Sequence, residues 1–155
     1  MKTIGIISDT HKLVRAEARE QLRGVDLIIH AGDIGSLQVI EQLQEIAPVK
    51  AVRGNIDKGP WADQFPQDSV IEMGGATLYV LHNLSDIAID PMAAGFQAVI
   101  SGHSHRPKID RKDGVLYINP GSAGPRRFKL PIALAMLTIK RGKLTATIEE
   151  LGIES

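Results

Sequence analysis

The fold is decided by residues 3–33, which read TIGIISDTHKLVRAEAREQLRGVDLIIHAGD. Two short apolar runs, 3–8 and 26–29, each lead into a polar cluster, which is typical of buried strands that end at a loop. Between them, residues 13–22 are rich in the helix formers Ala, Glu, Arg and Gln, and Gly24 ends the helical pattern. A strand, a helix and a strand in this order predict parallel pairing with a right-handed crossover.

The same unit continues once more along the chain. Residues 37–46 space their apolar side chains at helical intervals after Ser36, which we predict to cap the helix, and residues 49–52 form a third strand. The first third of the chain is therefore predicted to be a βαβαβ unit. Residues 58–67 are predicted to form an irregular loop that Trp61 and Phe65 attach to the body.

From about residue 68 the pattern changes to short apolar runs separated by tight turns. These predict strands, partly antiparallel, at 69–73, 77–81, 98–100, 115–118, 132–139 and 144–149. Gly74-Gly75 and Arg141-Gly142 suit two-residue hairpin turns. Residues 132–139 either pair with a second copy of the chain in a homo-oligomer or belong to the core.

Composition limits the class of protein. The 155 residues, 43% hydrophobic and 23% charged, predict one globular domain over 1–155. No apolar run approaches the roughly 18 residues of a membrane span, and the start lacks a signal-peptide pattern, so a cytoplasmic protein is expected. Because cysteine is absent, any metal ion must be held by oxygen and imidazole nitrogen.

Charge and aromatic content argue against a nucleic-acid partner. The chain has 18 basic and 18 acidic residues, and only 4% of its residues are aromatic. Neutral charge gives no broad attraction for a polyanion, and few aromatic side chains are available to stack with bases. A small anionic substrate would need local positive charge.

Polar clusters follow most of the predicted strands. They are Ser8-Asp9-Thr10-His11, Gly32-Asp33, Gly54-Asn55, and Gly102-His103-Ser104-His105, and His82 ends the strand at 77–81. Since the carboxyl ends of strands in an open α/β sheet meet at one crevice, these side chains are expected to converge there. Carboxylate, amide oxygen and imidazole together are typical ligands of a divalent metal ion.

The individual clusters differ in how strongly they indicate a metal site. Asp9 and His11 stand two apart, so an extended backbone would project both side chains to the same side, although the pair could equally cap a helix. His103 and His105 form the strongest ligand pair. A structural role is predicted for His30, and Asp57 either orients Asn55 or a ligand histidine or caps a turn.

Taken together with Asn119-Pro120-Gly121-Ser122, these motifs resemble those of the calcineurin-like metallophosphoesterases, most closely the YfcE-type small phosphodiesterases. The resemblance runs from residue 3 to about 150, with the motifs in order and at compatible spacing. It implies an α/β fold with four layers, in which two mixed β-sheets lie between outer helices.

The resemblance also implies a ligand set and a reaction. The first metal ion would be held by Asp9, His11, Asp33 and His105, and the second by Asp33, Asn55, His82 and His103. Manganese is expected, with nickel, zinc or iron as alternatives. The reaction would be hydrolysis of a small or nucleotide-like phosphodiester by a bridging metal-bound hydroxide, with Asp33, Asn55 and His103 as catalytic residues and Ser104 and Ser122 as loop residues.

Two positions differ from the family pattern. Ile56 stands where many members carry a histidine that assists the leaving group, which predicts a preference for aryl or nucleoside leaving groups. Asn83-Leu84 replaces the Gly-His of a His-Gly-His motif and is expected to reshape substrate access.

Arg126 either contacts a substrate phosphate or closes its own loop. The basic residues at 106–112 and 126–129 either recruit anions or are ordinary solvated side chains.

Two other functions remain open at this point. The same fold serves as a protein-binding scaffold, without catalysis, in the small subunit of the eukaryotic retromer. Alternatively, the chain is a phosphomonoesterase or a nuclease. All seven ligand positions carry competent residues, which favours catalysis, and no membrane partner is expected.

Overall fold

The computed structural model describes residues 1–127 and 129–152, and this part of the chain contains ten strands and two α-helices. The helices are α1 (Ala16–Gln21) and α2 (Leu37–Gln44). The strands are β1 (Lys2–Ile7), β2 (Leu27–His30), β3 (Val49–Ala51), β4 (Asp68–Met73), β5 (Ala76–Leu81), β6 (Ala98–Ile100), β7 (Lys108–Lys112), β8 (Val115–Asn119), β9 (Ala133–Lys140) and β10 (Lys143–Glu150).

The strands form two mixed five-stranded sheets. The first has the order β10-β9-β1-β2-β3, and β1, β2 and β3 are parallel, which confirms the predicted βαβαβ unit. The second has the order β4-β5-β6-β8-β7, with a parallel centre and an antiparallel strand at each edge. Both predicted hairpin turns, Gly74-Gly75 and Arg141-Gly142, join antiparallel neighbours. The predicted fold class is confirmed.

The main core lies between the two sheets, where Ile4, Ile6 and Ile29 of the first pack with Leu78 and Ile100 of the second. This packing removes apolar surface from water on one face of each sheet and so holds the sheets together. The helices α1 and α2 cover the other face of the first sheet, in a second core that includes Ala18, Leu22, Val39 and Leu43.

The outer layer over the second sheet is thin. Tyr79, Leu81 and Val99 form a small cluster there, covered by Ile87 and Phe96 from the segment 83–97. The rings of Tyr79 and Phe96 stack with centroids 5.1 Å apart. This segment contains the single 3₁₀ turn Leu84–Asp86 and the turn predicted near Pro91, so loops rather than long helices complete the fourth layer.

Several element boundaries differ from the predictions. The first helix begins at Ala16 and not at Leu13, because the chain is still turning there: Lys12 has φ of 75° and Leu13 N–H donates to Thr10 O at 2.9 Å. The second helix ends two residues early. Ser36 lies at its N-cap in extended conformation, as predicted, but its side chain makes no capping hydrogen bond in the described structure.

Strand β7 was not predicted. Its sequence is KIDRK, and Ile109 alone among its five residues packs towards the main core. Charged residues are common on edge strands because they discourage pairing with other chains, and they also hide the alternating pattern that identifies a strand.

Strand β9 is buried inside the first sheet. It is hydrogen-bonded to β10 on one side and to β1 on the other. The predicted pairing of residues 132–139 with a second chain is therefore wrong, and these residues belong to the core.

Trp61 and Phe65 pack against the core under α2, as expected. Within the described residues, neither α-helix is long and apolar enough to cross a lipid bilayer.

Candidate metal centre

The predicted ligands converge where β1, β2, β3, β5 and β6 end. Asp9, Asp33, His82 and His105 are buried, and His11 is half-buried. Asn55 and His103 are exposed at the mouth of a cleft of about 600 Å³ that is also lined by His82. The seven residues come from five separate loops, which follow parallel strands of both sheets.

Donor atoms within this set form two groups of three. Asp9, His11 and His105 form one, and Asp9, Asp33 and His82 form the other, with donor atoms in each group within 4.8 Å of one another. Among the described histidines and acids, His103 belongs to neither group. Its ring lies edge-on to that of His82, with centroids 5.2 Å apart.

Each carboxylate has one oxygen held by hydrogen bonds and one facing imidazoles. Asp9 Oδ2 accepts from Ser8 Oγ at 2.8 Å and from His103 N at 3.1 Å, while Oδ1 lies 3.4 Å from His105 Nε2. Asp33 Oδ1 accepts from Ile56 N at 3.2 Å, while Oδ2 lies 3.3 Å from His82 Nε2 and 3.7 Å from His11 Nε2. The held oxygen orients each carboxylate and leaves the second oxygen available to a cation.

The backbone at these residues is left-handed. The φ values are 54° at Asp9, 46° at His11, 56° at Asp33, 72° at His103 and 62° at His105. The prediction that an extended backbone aims Asp9 and His11 to the same side is therefore wrong; consecutive sharp turns aim them. Non-glycine residues in this region carry local strain, and such residues cluster at functional sites.

The glycines beside the ligands allow close approach between loops. A Cβ at Gly54 would overlap Asp33 Oδ1, and a Cβ at Gly102 would overlap Ser8 Oγ and lie 2.8 Å from Asp9 Oδ2. Neither glycine has a positive φ, so absence of a side chain, and not backbone freedom, is the property required there.

Asp57 connects two of the site loops. Its buried carboxylate accepts from Ile34 N at 3.0 Å, Gly35 N at 2.9 Å and Gly54 N at 2.8 Å. It therefore braces the loop after β2 against the loop after β3, and it does not orient Asn55 or a histidine as one of the two interpretations held. Sequence patterns do not reveal such a hydrogen-bonded connection between loops, because its donors are backbone amides.

His30 connects the loops after β1 and β2. It is fully buried, Gly32 N donates to its Nδ1 at 3.0 Å, and its Nε2 lies 3.0 Å from Thr10 Oγ1, which donates to Ile34 O at 2.8 Å. Because Nδ1 accepts, the proton is assigned to Nε2 and the ring is neutral. The structural role predicted for His30 fits this position between Asp9 and Asp33.

The stability of the metal-free protein is expected to fall on acidification because of His30. Burial lowers its pKa to about 4, against the weaker opposing effect of Asp57 and Asp9. The unfolded chain binds the proton near pH 6.5, so stability is full above that value and is lost as pH falls to about 4, by about 3 kcal/mol. We expect urea titrations to show this loss in the wild type.

The His30→Gln variant is the control, since it removes this titration and leaves the other site groups in place. Its free energy of unfolding is expected to change less between about pH 7 and pH 4.5 than that of the wild type. Equal acid dependence in both proteins would show that His30 is not the group responsible.

The other site groups influence one another. Burial opposes the charge of His82, but the carboxylates of Asp33 and Asp9 outweigh it and raise its pKa. For Asp33, burial favours the neutral form, while His82 and the amide of Ile56 lower the pKa overall. Burial lowers the pKa of His11, and Arg127 adds to the effect. The carboxylates of Asp33 and Asp9 thus favour the protonated form of His82, and His82 in turn favours the ionised form of Asp33.

The donor set fits divalent transition metal ions. Asp9 Oδ1, His11 Nε2 and His82 Nε2 are buried without a hydrogen-bond partner in the described structure, and Asp9 belongs to both donor groups. His82 Nδ1 lies 2.8 Å from Ala31 O, so an N–H donated there leaves Nε2 with a free lone pair. Unpaired buried polar atoms are costly, and one cation in each of the two donor groups would satisfy these atoms.

Arg126 and its loop are held by hydrogen bonds to the backbone. Arg126 donates to Leu130 O at 3.4 Å, within its own loop, which matches the loop-closing interpretation. The loop is held by Ser122 Oγ, which donates to Asp9 O at 3.0 Å, and Ser104 Oγ accepts from Arg106 N at 3.2 Å, so both serines act on backbone. Phe128 of the predicted basic stretch lies outside the described residues.

Known proteins resemble this chain along nearly its whole length. A family model described as the calcineurin-like phosphoesterase superfamily domain matches residues 1–142. A probable metallophosphoesterase of Methanothermobacter thermautotrophicus is 31% identical, over 96% of this chain and 92% of that protein.

Solved structures share the fold at lower identity. One, of an archaeal phosphodiesterase, has a TM-score of 0.78 at 24% identity and covers 95% of this chain and 99% of that one. Another, of the vacuolar protein sorting protein Vps29 from Entamoeba histolytica in complex with zinc, has a TM-score of 0.74 at 18% identity over 97% and 99%. The chain described here belongs to the calcineurin-like phosphoesterase superfamily.

Proposed function

We propose that the protein is a metal-dependent phosphodiesterase acting on a small or nucleotide-like phosphodiester. The observation that carries this proposal is the pair of buried carboxylates, Asp9 and Asp33, each with one oxygen hydrogen-bonded and the other facing imidazoles. This arrangement is suited to two divalent ions held side by side, and manganese is our first candidate.

The proposed ligands fall into two overlapping sets. Asp9, His11, Asp33 and His105 would hold one ion, and Asp33, Asn55, His82 and His103 the other. The position of Asp33 Oδ2 near both His11 and His82 supports a shared role for this residue. When bound, such ions supply positive charge that stabilises in-line displacement at phosphorus and a lower pKa for the attacking water.

The exposed residues at the cleft mouth are placed to meet the substrate. Asn55 can donate from its amide to a phosphoryl oxygen, which would orient the phosphate against the buried carboxylates. The His103 backbone amide is already engaged by Asp9, so its left-handed conformation is fixed and its ring stays beside that of His82. Asn55 would thus position the phosphate, while His103 would help to hold the second ion.

The chain offers no proton donor at the position of Ile56. This side chain is exposed, and its backbone N–H is engaged by Asp33. Without a general acid, an alkoxide leaving group would depart slowly, while a phenolate leaves without protonation. The proposal therefore includes a preference for aryl or nucleoside esters.

To test this proposal, the protein is treated with a chelator and reloaded with manganese, and its turnover of three substrates is measured with the same preparation. We expect turnover of an aryl phosphodiester to exceed that of the matching aryl monoester, and an alkyl monoester to be slowest. His103→Ala should lower the diester rate, and exposed Asp63→Asn is the matched control. Equal rates on alkyl monoester and aryl diester would contradict the leaving-group argument, and a faster monoester would favour a phosphomonoesterase.

A protein-binding scaffold is the second candidate. The observation that favours it is the set of exposed apolar side chains on the outer layer, Leu84, Ile89 and Met92, which are 39%, 43% and 56% exposed. Exposed apolar side chains are typical of interaction surfaces where they form a contiguous patch. Inactivity with manganese, nickel, zinc and iron in the assay above would transfer support to this function.

A further inference from the structure

A second cleft adjoins the one at the candidate metal centre. It has a volume of about 570 Å³, and it shares Asn83 and His103 with the first cleft. Asp86 lines the first cleft, while Leu84 and Ile87 line the second, so the segment 83–87 lies between them. This volume falls within the range of small-molecule sites, and the two clefts meet at the phosphate position proposed above.

Apolar side chains form part of the lining of the second cleft. Leu84, Ile87 and Tyr117 line it, and Tyr117 is half-buried on the outer face of β8 beside Val115. Asn83 Oδ1 accepts from Ser85 N at 3.0 Å and so fixes the short turn that presents Leu84. A flat apolar group could pack between Leu84 and the tyrosine ring, which removes apolar surface from water on both sides.

The rim of the second cleft is positively charged. Arg106, Lys108 and Lys112 line it, against the single acid Asp110, whose Oδ2 lies 4.0 Å from Lys108 Nζ. An excess of two positive charges therefore remains along this side. The first cleft differs, since Arg53 faces two acids there, Asp68 and Asp86.

The strand register orders these groups outward from the metal centre. Lys108 pairs with Asn119, Asp110 with Tyr117, and Lys112 with Val115, so their side chains share one face of the sheet. Lys108 and Lys112 are about 13 Å apart along the strand, because a strand rises about 3.3 Å per residue. A ligand that starts at His103 would meet a cation first, then the tyrosine ring, then a second cation.

We propose that the second cleft binds one ester group of the phosphodiester, and that this group carries a flat ring and its own negative charge, as a nucleoside monophosphate does. The inference rests on the phosphodiesterase function proposed above. The leaving group then occupies the first cleft. A monoester fills one cleft only, which gives a physical reason for a preference for diesters.

The first test measures binding without turnover. Chelator-treated protein is titrated calorimetrically with adenosine diphosphate, and we expect the Lys108→Gln/Lys112→Gln variant to bind roughly tenfold more weakly. The matched control is Lys140→Gln/Lys143→Gln, which removes two cations from the β9–β10 turn and should bind as the wild type does. Equal affinity in all three proteins, or no binding to any, would overturn the proposal.

The ring is tested separately from the charges. Tyr117→Leu keeps an apolar side chain on the sheet and is expected to weaken binding of adenosine diphosphate while leaving that of inorganic diphosphate unchanged. Equal losses for both ligands would show that the tyrosine does not contact the ring, and would overturn that part of the proposal.

Kinetics distinguish failure of this inference from failure of the proposed function. Manganese-loaded protein is given bis(nitrophenyl) phosphate and the nitrophenyl ester of adenosine diphosphate, which share one leaving group. The lysine double variant should raise KM for the second substrate by a much larger factor than KM for the first. Hydrolysis of both with no change in the variant would refute the second cleft alone, whereas binding without hydrolysis of either would refute the phosphodiesterase.

Discussion

The Asp33→Asn variant is expected to lose roughly three orders of magnitude in kcat/KM for an aryl phosphodiester, the size of effect seen when a preorganised electrostatic group is removed. Asparagine retains an oxygen to accept from Ile56 N, and it tolerates the φ of 56° at this position. The change therefore removes the negative charge that faces His11 and His82 and little else.

Metal content and stability complete this experiment. We expect the variant to retain fewer ions after dialysis, by elemental analysis, while its free energy of unfolding stays within about 1 kcal/mol of the wild type. Exposed Asp63→Asn provides the control, because it makes the same chemical change away from the site. Retention of more than a tenth of the activity by Asp33→Asn would show that this carboxylate is not a metal ligand.

The Gly54→Ala variant is expected to lose at least a hundredfold in activity, since a shift of about 1 Å in a positioned group can have that effect. The added methyl group would overlap the backbone nitrogen and Oδ1 of Asp33 and lie 2.8 Å from its Cγ. Either Asp33 moves or the loop after β3 moves, and the second change weakens the hydrogen bonds that Asp57 on this loop accepts from Ile34 N and Gly35 N. Overpacking of this kind should also cost about 1 to 3 kcal/mol of stability.

The Gly24→Ala variant separates the effect of the overlap with Asp33 from the general cost of replacing a glycine with alanine. Its φ is 81°, and a Cβ there would meet nothing within 4 Å, so its cost of about 1 kcal/mol is confined to backbone conformation. We expect this control to be less stable but to bind metal and turn over substrate normally. Wild-type metal content and kinetics in Gly54→Ala would contradict the overlap that the structure shows.

Most of the fold could be predicted because its signals are local. The apolar runs of β1 and β2 and the helical spacing of α2 are short-range patterns, and their order implies parallel pairing. The missed strand β7 shows the limit of this reasoning. Lys108 and Lys112 lie in a strand because β8 offers an edge to pair with, and that is a long-range contact that no local pattern records.

The candidate ligands could be named from sequence for a related reason. Aspartate and histidine directly after apolar runs are rare enough to be noticed, and strand ends converge in this class of fold. The direction of each side chain could not be predicted. Asp9 and His11 depend on left-handed turns, and the close contact of Gly54 with Asp33 joins residues from separate loops.

The sequence by itself determined the strand order of the βαβαβ unit, the family and the list of candidate ligands, because each depends on residue types at fixed spacings. The tertiary structure alone decided which oxygen of Asp9 and Asp33 is free, and that Asp57 and His30 brace the loops. It alone also showed a second cleft beside the site. These features arise from backbone amides, burial and contacts between distant loops, and such interactions exist only once the chain has folded.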